Sequence, residues 1–172
     1  MNNVYGIDIA KKSVELAKVS ESARPKSCGH YSNSSSGILK LGSIIEPGSI
    51  CVMEASGPYY LQLALGLYQA GIKVCVVNPL VIRRYAQMRL KRTKTDKVDA
   101  GLIAQYGAQY QANLSLWEPP TAVYQQLQQL SSGINLIKKQ LLMTKNQIEA
   151  FGHSSIQDPV LLQQLTQMDQ AF

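Results

Sequence analysis

Two short apolar runs, SICVME at 49–54 and IKVCVV at 72–77, flank a segment with a helical pattern. The second run is β-branched and continuously apolar, the mark of a strand buried on both faces of a parallel sheet. Between them lies the turn ASGP, with Pro58 suited to the first turn of a helix. The helix continues through YYLQLALGLYQA and stops at Gly71, a good C-terminal position. Strand, helix and strand in this order are the alternation expected of strands in a sheet with helices on its faces.

The rest of the chain extends that unit. Residues 3–10, NVYGIDIA, and 13–19, SVELAKV, read as strands joined by a tight hairpin, although the link AKK lacks an Asn-Gly turn. A weaker third strand is expected at 28–32. The polar turn from Asn33 to Gly37 caps a helix over roughly 38–45, and Pro47-Gly48 then breaks the chain. Asn78-Pro79 ends the last strand. A basic helix follows at 80–90, and another helix at roughly 95–110. A three-strand meander followed by alternating helices and strands predicts an α/β fold: a mixed sheet flanked by helices. It is the order of a ribonuclease H-like fold.

The acidic residues sit at telling places in this order. In KRTKTDKVDAGLIA, 91–104, Asp96 and Asp99 are three apart and share one face of the expected helix. Paired acids repel and raise each other's pKa. A divalent cation between them removes that cost, and the surrounding Lys91, Arg92, Lys94 and Lys97 point to a phosphate ligand. Taken alone, the pair also reads as an ordinary helix start, where Asp favours the dipole. Asp8, however, lies inside the apolar strand YGIDI, where an isolated carboxylate costs several kcal/mol, roughly, unless paired or bound to a cation. Glu54 ends a different strand, directly after CVM. If those strands are neighbours, Asp8 and Glu54 meet at one edge of the sheet and Asp96 and Asp99 close the site from a helix above. Four carboxylates from three segments make a hard-oxygen cage for Mg2+ or Mn2+. Two such ions serve phosphodiester chemistry.

Charge supports an anionic partner. The formal net charge is +6, and Arg83, Arg84, Arg89, Lys91, Arg92, Lys94 and Lys97 place seven of the 17 basic residues in one short stretch. Its overlap with the acidic pair argues for a shared nucleic-acid site rather than a merely solvated face. Hydrophobic residues make up 45% of the chain and charged ones 16%, which excludes a disordered polymer. Cys28, Cys51 and Cys75 are well separated, so no structural zinc site is expected, and the last two read as core residues. His30 and His153 read as surface or loop residues. No signal-peptide pattern opens the chain, and no apolar run approaches the roughly 20 residues that span a bilayer. A soluble, cytoplasmic protein with no membrane partner is expected.

GIDIAK at 6–11, MEASGPYY at 53–60, VVNP at 76–79 and KTDKVDA at 94–100 closely resemble the DEDD transposases. That family includes the Piv/MooV site-specific DNA invertases and the insertion-sequence transposases guided by a bridge RNA. The resemblance runs from residue 4 to about 110, and four motifs in the same order are specific together. It implies a RuvC-like, ribonuclease H-type domain whose catalytic, metal-binding acids are Asp8, Glu54, Asp96 and Asp99. It also implies DNA as partner, a guide RNA in one branch of the family, and cleavage and transfer of DNA strands. Family members continue into a second domain that supplies a catalytic serine. No segment here resembles that domain, so a fragment is expected. Ser56 reads as a turn residue, not that nucleophile. Tyr59 and Tyr60 read as core residues, with base stacking as the alternative.

Pro119-Pro120 marks a boundary, giving a catalytic domain over 1–116, a linker over 117–122 and a helical coiled-coil arm over 123–172. Leu127, Leu130, Ile134, Ile137, Leu141, Thr144, Ile148 and Phe151 alternate three and four apart, a heptad seam with one polar member. Gly152 and Pro159 allow a reversal, after which Leu161, Leu162, Leu165 and Met168 form a returning helix. An intrachain hairpin and a homo-oligomer through the 123–151 seam both fit, and the resemblance favours assembly. Two other functions compete with the transposase reading. An actin-like ATPase or sugar kinase also opens on a strand bearing Asp, but wants a Gly-rich phosphate turn where AKKS stands. A non-enzymatic module that binds nucleic acid and oligomerises needs none of the four acids.

Overall fold

The computed structural model describes residues 3–19, 24–55, 57–89, 96–153 and 158–171, and of residues 96–98 the backbone alone. The chain forms two compact units, Met1–Pro119 and Pro120–Phe172.

In the first unit a five-stranded sheet is built from β1 (Val4–Ile9), β2 (Ser13–Val19), β3 (Lys26–Ser32), β4 (Ile50–Glu54) and β5 (Lys73–Val77), in the order β3-β2-β1-β4-β5. The hairpin strands β1–β2 and β2–β3 pair antiparallel, whereas β1–β4 and β4–β5 pair parallel. Helices α1 (Ser35–Ile44), α2 (Tyr59–Gln69), α3 (Pro79–Met88) and α4 (Asp96–Gln109) complete the unit. Because side chains alternate along a strand, the sheet has two apolar faces. Tyr5, Ile7, Leu16 and Met53 pack with Leu41, Leu63 and Leu67 of α1 and α2. Val4, Ile50, Val52 and Cys75 pack with Ile82, Tyr85, Leu102 and Ile103 of α3 and α4. Burial drives the Cys51 thiol pKa well above its ordinary value and that of Cys75 up to about 11, as suits unreactive core thiols.

The helix ends follow capping chemistry. Asn78 accepts from the Leu80 N–H at 2.9 Å with Pro79 at the start of α3. Gly71 holds φ of 76° after α2. Two boundaries differ from expectation. Strand β3 begins at Lys26, because pairing with β2 organises an edge segment that lacks an apolar alternation. Helix α1 begins at Ser35, because Ser34 caps it through the Gly37 N–H. After α4 and a short 3-10 turn, Trp117 docks on the outer strand. Its N–H donates to the Val74 carbonyl at 2.7 Å and its ring meets Tyr68 edge-on.

The second unit is a helical pair, α5 (Ala122–Gly152) and α6 (Pro159–Ala171). Thr121 caps α5, and the Asp158 carboxylate accepts from the Val160 and Leu161 N–H groups at the start of α6. Helix α6 returns against α5. The 31-residue α5 is about 46 Å long and the 13-residue α6 about 20 Å. Coverage of the seam is accordingly partial. Thr144 is buried and Leu141, Ile148 and Phe151 are half-buried. Leu127, Leu130, Ile134 and Ile137 remain 58, 63, 52 and 47% exposed.

Candidate metal centre at the carboxyl ends of β1 and β4

Strands β1 and β4 are neighbours, in a register that pairs Ile7 with Met53. One step further along each strand places Asp8 beside Glu54. Alternation puts both on the face of Val4 and Val52, which α4 covers. On the other side of β1, Asp8 pairs with Glu15 of β2, and Glu15 pairs with His30 of β3. Directly opposed residues share a face. One row across the sheet therefore reads His30, Glu15, Asp8, Glu54.

Two glycines fix α4 over this row. A Cβ on Gly6 would collide with the Ala100 carbonyl oxygen and the Ala104 backbone nitrogen. A Cβ on Gly107 would strike Val4 Cγ1 at 2.8 Å and Val52 Cγ2 at 2.6 Å. Moving from Gly107 back to Ala100 thus advances from Val4 to Gly6, so α4 runs against the direction of β1. From Ala100 to Asp96 is about 6 Å of helix. From Gly6 to Asp8 is about 7 Å of strand. The first turn of α4, which carries Asp96 and Asp99, therefore lies level with Asp8.

Asp8, Glu54 and Asp99 are half-buried, and each has an interaction partner. The side chain of Asp96 lies outside the described residues. Among the described residues, no three His, Cys, Asp or Glu side chains form a ready-made metal cage. The donor chemistry nevertheless fits a hard cation, since every candidate in the row except His30 offers carboxylate oxygen. A further feature fits it too. His30 Nδ1 donates to Glu15 Oε1 at 2.6 Å, while Glu15 Oε2 is buried without a hydrogen-bond partner among the described residues. Nothing in the sequence marks Glu15, whose neighbours are set by pairing between strands. His30 is at the surface as expected, its ring exposed, but it stands in a strand with its Nδ1 committed to a buried carboxylate.

Of the expected phosphate-binding residues, Arg83 and Arg84 are exposed on α3. Arg89 follows that helix and has structural contacts: it donates to Gln109 Oε1 at 3.1 Å and lies 5.1 Å from the centre of the Tyr85 ring. Lys91, Arg92 and Lys94 lie outside the described residues, as does the side chain of Lys97. Lys11 and Lys12 were not singled out in the sequence. Both are exposed in the β1–β2 turn, at the same end of the sheet as Asp8. Tyr60 packs against the core, and Tyr59 is 40% exposed. Ser56 lies outside the described residues.

The fold is that of a RuvC-like, ribonuclease H-type domain. RuvC of T. thermophilus, solved in complex with a Holliday junction substrate, matches with a TM-score of 0.52 at 12% identity, over 68% of this chain and 100% of RuvC. Residues 5–151 match the profile of the DEDD transposases, described as transposase. Pilin gene-inverting proteins of Moraxella lacunata and Moraxella bovis are each 33% identical over 157 residues, 87% of this chain. The chain belongs to the DEDD transposase family. It spans about half the length of these curated relatives, 48% of each.

Proposed function

We propose that residues 1–116 are the catalytic domain of a DEDD-type DNA transposase or site-specific invertase, linked through 117–122 to an assembly arm at 123–172. The observation that carries this reading is the row that sets Asp8 beside Glu54, level with the first turn of α4. Asp8, Glu54, Asp96 and Asp99 would hold two divalent ions, Mg2+ or Mn2+. Metal bound there would supply activation of an attacking oxygen and stabilisation of a leaving oxygen in a DNA phosphodiester. The chain's own contribution is to hold these carboxylates at fixed spacing on a rigid sheet and helix. Arg83, Arg84, Arg89, Lys91, Arg92, Lys94 and Lys97, joined by Lys11 and Lys12, neutralise phosphates, so DNA binding weakens as salt rises. The same stretch suits the phosphates of a guide RNA, and competition between RNA and DNA for the protein separates the two ligands. No described helix is long and apolar enough to cross a membrane, and a cytoplasmic setting fits a partner of this kind.

Calorimetric titration with Mn2+ tests the metal site. Wild type binds, and Asp8→Ala loses binding. Equal binding by both proteins removes the metal-site claim.

A second reading is a nucleic-acid-binding and oligomerisation module of a larger recombinase. It is favoured by the exposed half of the α5 seam, where Leu130, Ile134 and Ile137 line an open groove with Gly133. On this reading DNA binding survives loss of all four acids. On the first, loss of the acids also removes Mn2+ binding, a readout that needs no catalytic serine from a second domain.

A further inference from the structure

We propose that Glu15, pinned by His30, is a positioning residue of the metal centre, presenting a fifth carboxylate beside Asp8 as an acceptor for the hydration shell of the cation. This rests on the metal-binding reading above.

Glu15 stands directly opposite Asp8 in the antiparallel pair β1–β2. Opposed side chains on one face sit with their Cβ atoms about 5 Å apart, and like charges there destabilise the pair. A strand that served packing alone has no use for a second acid at this position. Its same-face neighbour Ala17 is small and 1% exposed. Glu15 is itself only 9% exposed. One oxygen is satisfied from the solvent side, where the His30 side chain is 61% exposed and its Nδ1 reaches Oε1 at 2.6 Å. The other oxygen, Oε2, is buried and finds no donor among the described residues. Buried acceptors are seldom left unpaired, and such an exception calls for a missing donor. Water held by a divalent cation is a strong donor, and the row places the cation's proposed ligands next to this carboxylate. The added negative charge also offsets the cation's charge. His30 supports Glu15 as outer partners support ligand residues elsewhere, by fixing which oxygen faces which way.

The test is Mn2+ calorimetry on the full chain, with thermal melting of each metal-free protein as a control for folding. Glu15→Gln keeps the size and the hydrogen bond to His30 but removes the charge. It is expected to weaken Mn2+ binding about ten- to a hundredfold, the usual cost of losing an outer partner of a metal site. Metal-free melting should match or exceed wild type, because the like charge beside Asp8 is gone, whereas a purely structural role predicts a loss. Affinity within about twofold of wild type, with Asp8→Ala still abolishing binding, overturns this proposal and leaves the metal centre intact. A wild-type protein that binds no Mn2+ overturns the metal reading itself, and this inference with it. Should Glu15→Gln fail to fold, His30→Ala carries the test at an exposed side chain. A severalfold loss of affinity supports the pinning, and unchanged affinity overturns it.

Discussion

The two units of the chain treat the same kind of residue in opposite ways. In the first unit Ile7, Leu41, Met53 and Leu67 are fully buried, enclosed by helices on both faces of the sheet. In the second, Leu127, Leu130, Ile134 and Ile137 repeat along α5 with the same regularity, yet each stays about half exposed or more, because α6 is too short to reach them. Periodicity thus marks where an apolar surface will lie. Whether the chain covers that surface itself depends on the length of what folds back. The sheet unit encloses the core between its layers, whereas the arm leaves half of its seam exposed.

The largest expected effect contrasts two leucines. Leu67→Ala empties a fully buried site and should cost about 3 kcal/mol in urea denaturation. Leu130→Ala removes a side chain that is 63% exposed and should leave the melting of dilute protein nearly unchanged. Its effect should appear instead in sedimentation, as weaker self-association at high concentration. Equal costs for the two substitutions in dilute protein would mean that α5 is covered already, and the contrast between the units would fall.

Glycines sharpen the comparison next. Gly6→Ala forces a methyl into the backbone of α4 and should cost about 2–3 kcal/mol, as overpacking does. Gly133→Ala meets nothing within 4 Å and should stabilise the arm by about 1 kcal/mol through helix propensity. Loss of stability at position 133 would reveal a close neighbour on the seam.

The smallest effect belongs to the surface of the sheet unit. The Lys18 ammonium donates to Glu46 at 2.7 Å, and this bond holds the Glu46 carboxyl below its ordinary pKa while raising that of Lys18. A lowered carboxyl pKa gives stability that is present above the ordinary glutamate value and lost as pH falls through the lowered one. Glu46→Gln should therefore flatten the acid limb of a melting-temperature profile slightly. The difference should shrink in high salt, because both groups are solvent-accessible.

Much of the sheet unit is legible in the sequence. Asp8 stands out because an acid interrupts an apolar run, and Glu54 because it ends one. The order of strands and helices then brings them to one edge. Other features are invisible for a physical reason. The row of His30, Glu15 and Asp8 is created by register between strands, and periodicity along one strand says nothing about which residue lies opposite. A shift of register between Leu16 and Ala17 makes the β3 alignment harder still to foresee. In the sequence Arg89 is one more basic residue in a run, and its bond to Gln109, twenty positions away, depends on how α4 passes α3. In the arm, heptad spacing revealed the seam, but spacing alone could not say how far α6 would extend along it.

Gly6 has one consequence for how the proposed centre could change over time. Where backbone rests on backbone, no rotamer intervenes to absorb a change. Apolar neighbours such as Ile103 or Val52 can drift to other shapes while the helix keeps its height above the strand. The distance between Asp8 and the acids of α4 is thereby insulated from ordinary turnover in the surrounding core, and a single methyl at one position would cancel that protection.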